Sequence, residues 1–210
     1  MKLADMTVKD YMAVLGSDAP APGGGSAAAL CGVQGACLVT MVVGQTTSKA
    51  RYEAEWPIAQ KVIDEGTPIA NALTEQIDKD TEAYNLVAAA FKMPKETDED
   101  KAVRRKAIAD ATLVATEVPF ETLRLAVSAM ELANTLPGHY NTNCASDLGV
   151  GIQNLHTAAH GAWMNVSINL GGVKDAEKAA FFAEEGNKLI ARANEICEAV
   201  LDVVWKDIRG

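Results

Sequence analysis

Aromatic residues are scarce, 5% of 210, and no alternating run of β-branched and aromatic side chains reaches strand length, which excludes a core built on sheets. Cysteine is thin as well: Cys31, Cys37, Cys144 and Cys197 stand apart with no Cys-x-x-Cys pair, so neither a disulfide framework nor a zinc ribbon is encoded. Reduced thiols in a cytoplasmic protein are the expectation. Positive charge is outweighed, 19 Lys and Arg against 28 Asp and Glu for a formal charge of −9, and a polyphosphate backbone would be repelled. Lys2, Asp5, Lys9 and Asp10 precede any apolar run, a poor start for a signal peptide. The long uncharged stretch from Ser26 to Thr47 is built largely of Ala, Gly, Cys, Gln and Thr rather than Leu, Ile and Phe. It reads as a buried helix, not a membrane span.

What is present is helical punctuation. Thr7 with Asp10 three residues on caps a short first helix, and the prolines and glycines of 16–25 end it. Ser26 is expected to cap the uncharged helix, which runs to about Lys49. Pro57 suits a first turn; Gly66 and Pro68 predict a kink or break before the pattern continues to about Lys92. Thr97, followed by Asp98, Glu99 and Asp100, opens the next helix, which Pro119 is expected to kink or restart before Leu136-Pro137-Gly138. Ser146 and Asp147 open another that Gly171 and Gly172 close, and a last one fills most of 175–208. The expectation is a single all-α domain over 1–210, an up-and-down bundle of roughly seven to nine helices.

Chemistry concentrates in a few places. Ala19-Pro20-Ala21-Pro22-Gly23-Gly24-Gly25-Ser26 removes β-carbons just ahead of a helix N-terminus, the makings of an anion or ligand cradle, or else of a tight connector. On the helix after Asp147, a rotation of about 100° per residue lines up Asp147, Gly151, Asn154, Ala158, Asn165 and Asn169 beside an apolar face; this is a cleft lining, or else a solvated stripe or a polar helix contact. Asp80 leads Tyr84, Val87 and Phe91 at helical spacing, which places a carboxylate on an apolar row where desolvation raises its pKa toward general-base use, unless a salt bridge claims it. Asp78 and Glu82 fall on other faces and read as solvated. His156 and His160 are four apart but lack the intervening glutamate of a zincin and read as structural, with no metal assigned. Arg104, Arg105 and Lys106 form a basic island, a carboxylate seat or a solvated face.

The strings Ala-Pro-Ala-Pro-Gly-Gly-Gly-Ser at 19–26, Asp80 with Ala83 and Tyr84, Met-Pro-Lys at 93–95, Arg104, Val-Pro at 118–119, Ser-Asp at 146–147 and Asn-Val-Ser-Ile-Asn at 165–169 together resemble the formiminotetrahydrofolate cyclodeaminase and methenyltetrahydrofolate cyclohydrolase family. The resemblance implies an all-helical homodimer with a folate pocket between subunits, no metal and no redox cofactor. It implies hydrolysis of 5,10-methenyltetrahydrofolate to 10-formyltetrahydrofolate, with Asp80 as first and Asp147 as second candidate base. Gly23, Gly24, Gly25 and Ser26 would shape the pocket, with Tyr84 and Ser146 also at the substrate. Asn165 and Asn169 would meet the pterin, and Lys95 and Arg104 the glutamyl tail. Cyclodeamination of 5-formiminotetrahydrofolate, with loss of ammonia, is the rival chemistry, and a non-catalytic folate-binding dimer the alternative from another class. The 210 residues carry no formiminotransferase-like segment, which tilts the expectation toward the cyclohydrolase. Trp163 and His139-Tyr140 depart from the family pattern and are where altered specificity would be sought.

Overall fold

A computed structural model describes residues 2–210. Among them are six α-helices and three short 3-10 turns, with no strand. The helices are α1 (Val8–Leu15), α2 (Gly24–Thr47), α3 (Trp56–Phe91), α4 (Asp98–Ala133), α5 (Ala145–Leu170) and α6 (Ala176–Arg209). All-α is therefore right, but the expected seven to nine helices become six because neither internal proline breaks its helix. Pro68 and Asp64, whose carbonyl loses its donor, are both exposed, so water can take the freed oxygen. Pro119 is buried in α4, and its orphaned carbonyl is met by a side chain of α5, described below. Gly66 does not break the helix either, and a β-carbon there would meet Leu132 Cδ1 and Thr40 Oγ1 only at an ordinary contact distance of 3.6 Å.

Several ends follow the sequence. Thr97 and Asp100 form a reciprocal capping box on α4, Asp175 accepts from the Lys178 N–H on α6, and Thr7 accepts from the Asp10 N–H on α1. The start of α2 does not. Its N-cap is Gly23, and Ser26 sits in the first turn with its hydroxyl turned to the Ile77 carbonyl at 2.8 Å. Asp78 is not simply solvated, since it accepts from the Leu3 N–H at 2.6 Å and so holds the N-terminal turn.

Consecutive helices from α2 to α6 run antiparallel, as do α2 and α5, while α4 and α6 lie parallel, around a core whose fully buried members include Leu73, Leu123, Met130, Leu148, Ile152, Leu155 and Ile196. Burying a leucine contributes about 1.5–3 kcal/mol, and small residues decide how close the backbones come. A β-carbon on Gly35 would stand 2.6 Å from Leu155 Cγ and 2.7 Å from the Gly151 carbonyl. The stripe of Gly151, Ala158 and Asn165 on α5 is therefore the seam against α2, not a solvated face. Helix α2 is long and apolar enough by composition to cross a membrane, yet Ala29, Val42 and Val43 on it are inaccessible in the bundle. Its burial is one-sided: Gln34, Cys37 and Met41 form an exposed, uncharged stripe.

Candidate functional site

Because α2 and α5 run antiparallel, the glycine-rich start of α2 meets the C-terminal end of α5, and the last third of α3 closes the third side. Between them lies a bay of about 360 Å3 lined by Gly23, Gly24, Gly25, Asp80, Ala83, Tyr84, Val87, Asn165 and Asn169, with Pro20, Ala21, Ala115 and Ile168 at its margins. Most of the residues singled out in the sequence thus converge on one place.

Asp80 is the charged group of the bay. Its Oδ2 accepts from the Ser26 N–H at 2.9 Å and lies 3.1 Å from the Ser26 hydroxyl, so a carboxylate from α3 takes the capping role that Ser26 was expected to play for α2. The Ser26 hydroxyl has one proton and also faces the Ile77 carbonyl at 2.8 Å and Thr81 Oγ1 at 3.2 Å, so the backbone N–H is the dependable donor. Gly25 exists for this contact: a β-carbon there would fall 1.9 Å from Asp80 Oδ1. Burial raises the Asp80 pKa, the bonds from Ser26 oppose it, and burial wins. Neighbouring Tyr11, buried beneath with its hydroxyl unpartnered, is pushed up by its own burial and by the charge of Asp80.

The asparagines are anchored from behind. Asn165 Nδ2 donates to the Gly161 carbonyl at 2.8 Å, and Asn169 Nδ2 donates to the Ala115 carbonyl at 2.7 Å. Each amide nitrogen has one of its two protons engaged, so an Oδ1 and a second N–H remain on each of these bay-lining side chains. The first-turn N–H groups of Gly24 and Gly25 have no partner within their helix and supply donors on the facing wall.

Other expected site residues lie elsewhere. Ser146 and Asp147 open α5, eighteen residues before Asn165, about 27 Å along the axis at the helical rise. Asp147 is half-buried there, and its charge raises the Cys144 thiol after burial does. Within one chain it does not reach the bay, and the reason is topological: the stripe that carries it spans the whole bundle. Lys95 is exposed in the loop after α3. Arg104 donates to the Phe91 carbonyl at 3.1 Å through Nη2 and stacks over the Phe91 ring at 5.5 Å, beyond the bay by about two helical turns from Tyr84. His156 and His160 both place Nε2 at 2.8 Å from Asn194 Oδ1. Among the described residues no three His, Cys, Asp or Glu gather as a metal cluster. Trp163 packs over Gly186, where a β-carbon would meet its ring at 2.0 Å, and Tyr140 donates to Asp207 at 2.7 Å; neither lines the bay. Ala115 was missed because a backbone carbonyl leaves no mark of its own in the sequence. Its only signal is Pro119, four residues on.

A single carboxylate, side-chain amides and helix N–H groups around a bay of this size are the features of a candidate small-molecule site on a helical bundle. The bundle matches the crystal structure of formiminotetrahydrofolate cyclodeaminase from Thermotoga maritima with a TM-score of 0.80, covering 100% of this chain and 98% of that one at 22% identity, a likeness of fold. The sequence model of the formiminotransferase-cyclodeaminase family matches residues 7–188. A methenyltetrahydrofolate cyclohydrolase of Methylorubrum extorquens is 34% identical over 94% of this chain and 95% of its own length. The formimidoyltransferase-cyclodeaminase of Dictyostelium discoideum is 33% identical over 96% of this chain, which spans only 37% of that longer protein. The chain belongs to the formiminotransferase-cyclodeaminase family.

Proposed function

We propose that the chain hydrolyses 5,10-methenyltetrahydrofolate to 10-formyltetrahydrofolate and that Asp80 is the general base. The carrying observation is a carboxylate that lines the bay, held on one oxygen by the Ser26 N–H, with its pKa raised by burial. The substrate carries an electrophilic amidinium carbon. Water adds to that carbon as Asp80 takes one of its protons; Asp80 returns that proton to N5 as the C–N5 bond opens, and the hydroxyl of the adduct loses its proton to solvent, which leaves the formyl group on N10. The negative carboxylate also stabilises the cationic ring before attack. Asp147, outside the bay of its own chain, is given no role. What supports this choice of reaction is the similarity along nearly its whole length to a relative named for it.

In the same reading Asn165 and Asn169 accept from the N–H edge of the pterin, and Tyr84, 41% exposed, flanks the ligand. The glutamyl tail runs past Val87 toward Arg104 and Lys95. A homodimer sheltering the bay is part of the proposal, supported by Ile168 on its margin and Met164 one turn away, 81% and 67% exposed. Cyclodeamination is the second reading, because a carboxyl with a raised pKa can also hand a proton to departing ammonia, and longer relatives are named for that activity.

The test is to follow the methenyl chromophore with purified protein. Its loss above the spontaneous rate is the expected result. Its appearance from the 5-formimino compound, without such loss, would transfer the assignment to the cyclodeaminase. Ligand binding with no turnover of either compound would make the chain a folate-binding module.

A further inference from the structure

A proline inside a helix leaves the carbonyl four residues before it without its usual donor. In α4 the proline is Pro119 and the carbonyl is that of Ala115, which faces the bay from its margin. Asn169 on α5 supplies the missing donor through Nδ2 at 2.7 Å. A carbonyl can only accept, so the atom facing it must be the amide nitrogen; this fixes which way round the amide sits, with Oδ1 and the second N–H left for other partners. The buried proline at the middle of α4 is thus linked by one hydrogen bond to the wall of the site.

We propose that Pro119 is a positioning residue: by withholding its N–H it reserves the Ala115 carbonyl for Asn169, and so sets that side chain to accept from an N–H-bearing ligand edge. Replacing the proline by alanine would return a donor that competes for the Ala115 carbonyl, draw the α4 backbone back into its ladder there and so loosen the hold on the Asn169 amide. Asn165, held by the Gly161 carbonyl of its own helix, would be unaffected. The choice of ligand edge rests on the function proposed above; the hydrogen-bond exchange does not.

The experiment compares Pro119→Ala, Asn169→Ala and the double variant. In methenyl hydrolysis, loss of one oriented acceptor is expected to raise KM about five- to tenfold, with kcat changed less than about twofold. In the Asn169→Ala background the proline change should add nothing further. Thermal stability should rise in Pro119→Ala, because alanine is the far better helix former, which separates repositioning from damage to the fold. An unchanged KM in Pro119→Ala, or a KM effect that multiplies with that of Asn169→Ala, would overturn the proposal. A crystal structure of Pro119→Ala gives a readout without substrate: the backbone N–H restored at position 119 should bond the Ala115 carbonyl with Asn169 Nδ2 displaced, and persistence of the Asn169 bond refutes it. Failure of the wild-type protein to hydrolyse the methenyl compound would sink the proposed function, while this structure would still decide the role of Pro119.

Discussion

Asp80 and Gly25 show how one carboxylate can be buried and still remain usable. The Ser26 N–H saturates one oxygen, the absent β-carbon of Gly25 leaves room for the other, and desolvation outweighs the bonds in setting the pKa. The sign of the stability effect follows. A carboxyl whose folded pKa is raised binds its proton more tightly in the folded state, so it favours folding most at low pH and loses that benefit as pH rises through the folded value. Asp80→Asn is therefore expected to raise the thermal midpoint at pH 7, the gain shrinking as pH falls toward the ordinary aspartate value of about 3.9; a lowered midpoint at pH 7 would contradict this. The acid limb of wild-type kcat/KM should likewise lie above about 3.9, since the base must be ionised. Gly25→Ala must push Asp80 aside, and a loss of activity of about 10²-fold or more is expected in the same absorbance assay.

At the level of the element, seams and caps divide the work between stability and function. Gly35→Val places branched carbons against Leu155 and the Gly151 carbonyl and should cost about 1–3 kcal/mol or more in urea unfolding. Thr97→Ala removes the cap of α4 and should cost about 1 kcal/mol in the same unfolding measurement. The helices were legible wherever their signals are local: Thr97 with its acidic first turn, Asp175, and Gly171-Gly172 after α5. They were misread where a distant group settles the matter. Pro119 looked like a break because its compensating donor, Asn169, lies fifty residues downstream. Ser26 looked like a cap because the carboxylate that caps α2 comes from α3. The candidate site shows the same division. Asp80, the glycines and the asparagine pair were readable from spacing, whereas Asp147 shares a stripe with Asn165 yet stands at the other end of the bundle.

For the whole molecule, the antiparallel order of α2, α3 and α5 gathers the bay from segments far apart in the sequence. Its rim is apolar and open at Ile168 and Met164. If a second copy shelters it, light scattering will give a mass of two chains, and Ile168→Asp will shift the protein toward one chain with a lower kcat; a monomeric wild type would remove the dimer from the reading. The most direct measurement is the turnover of 5,10-methenyltetrahydrofolate by Asp80→Asn, paired with calorimetric binding of the 10-formyl product. Turnover lowered by about 10²- to 10⁴-fold with affinity within about threefold of wild type is the expected result; wild-type turnover without that carboxylate would contradict it.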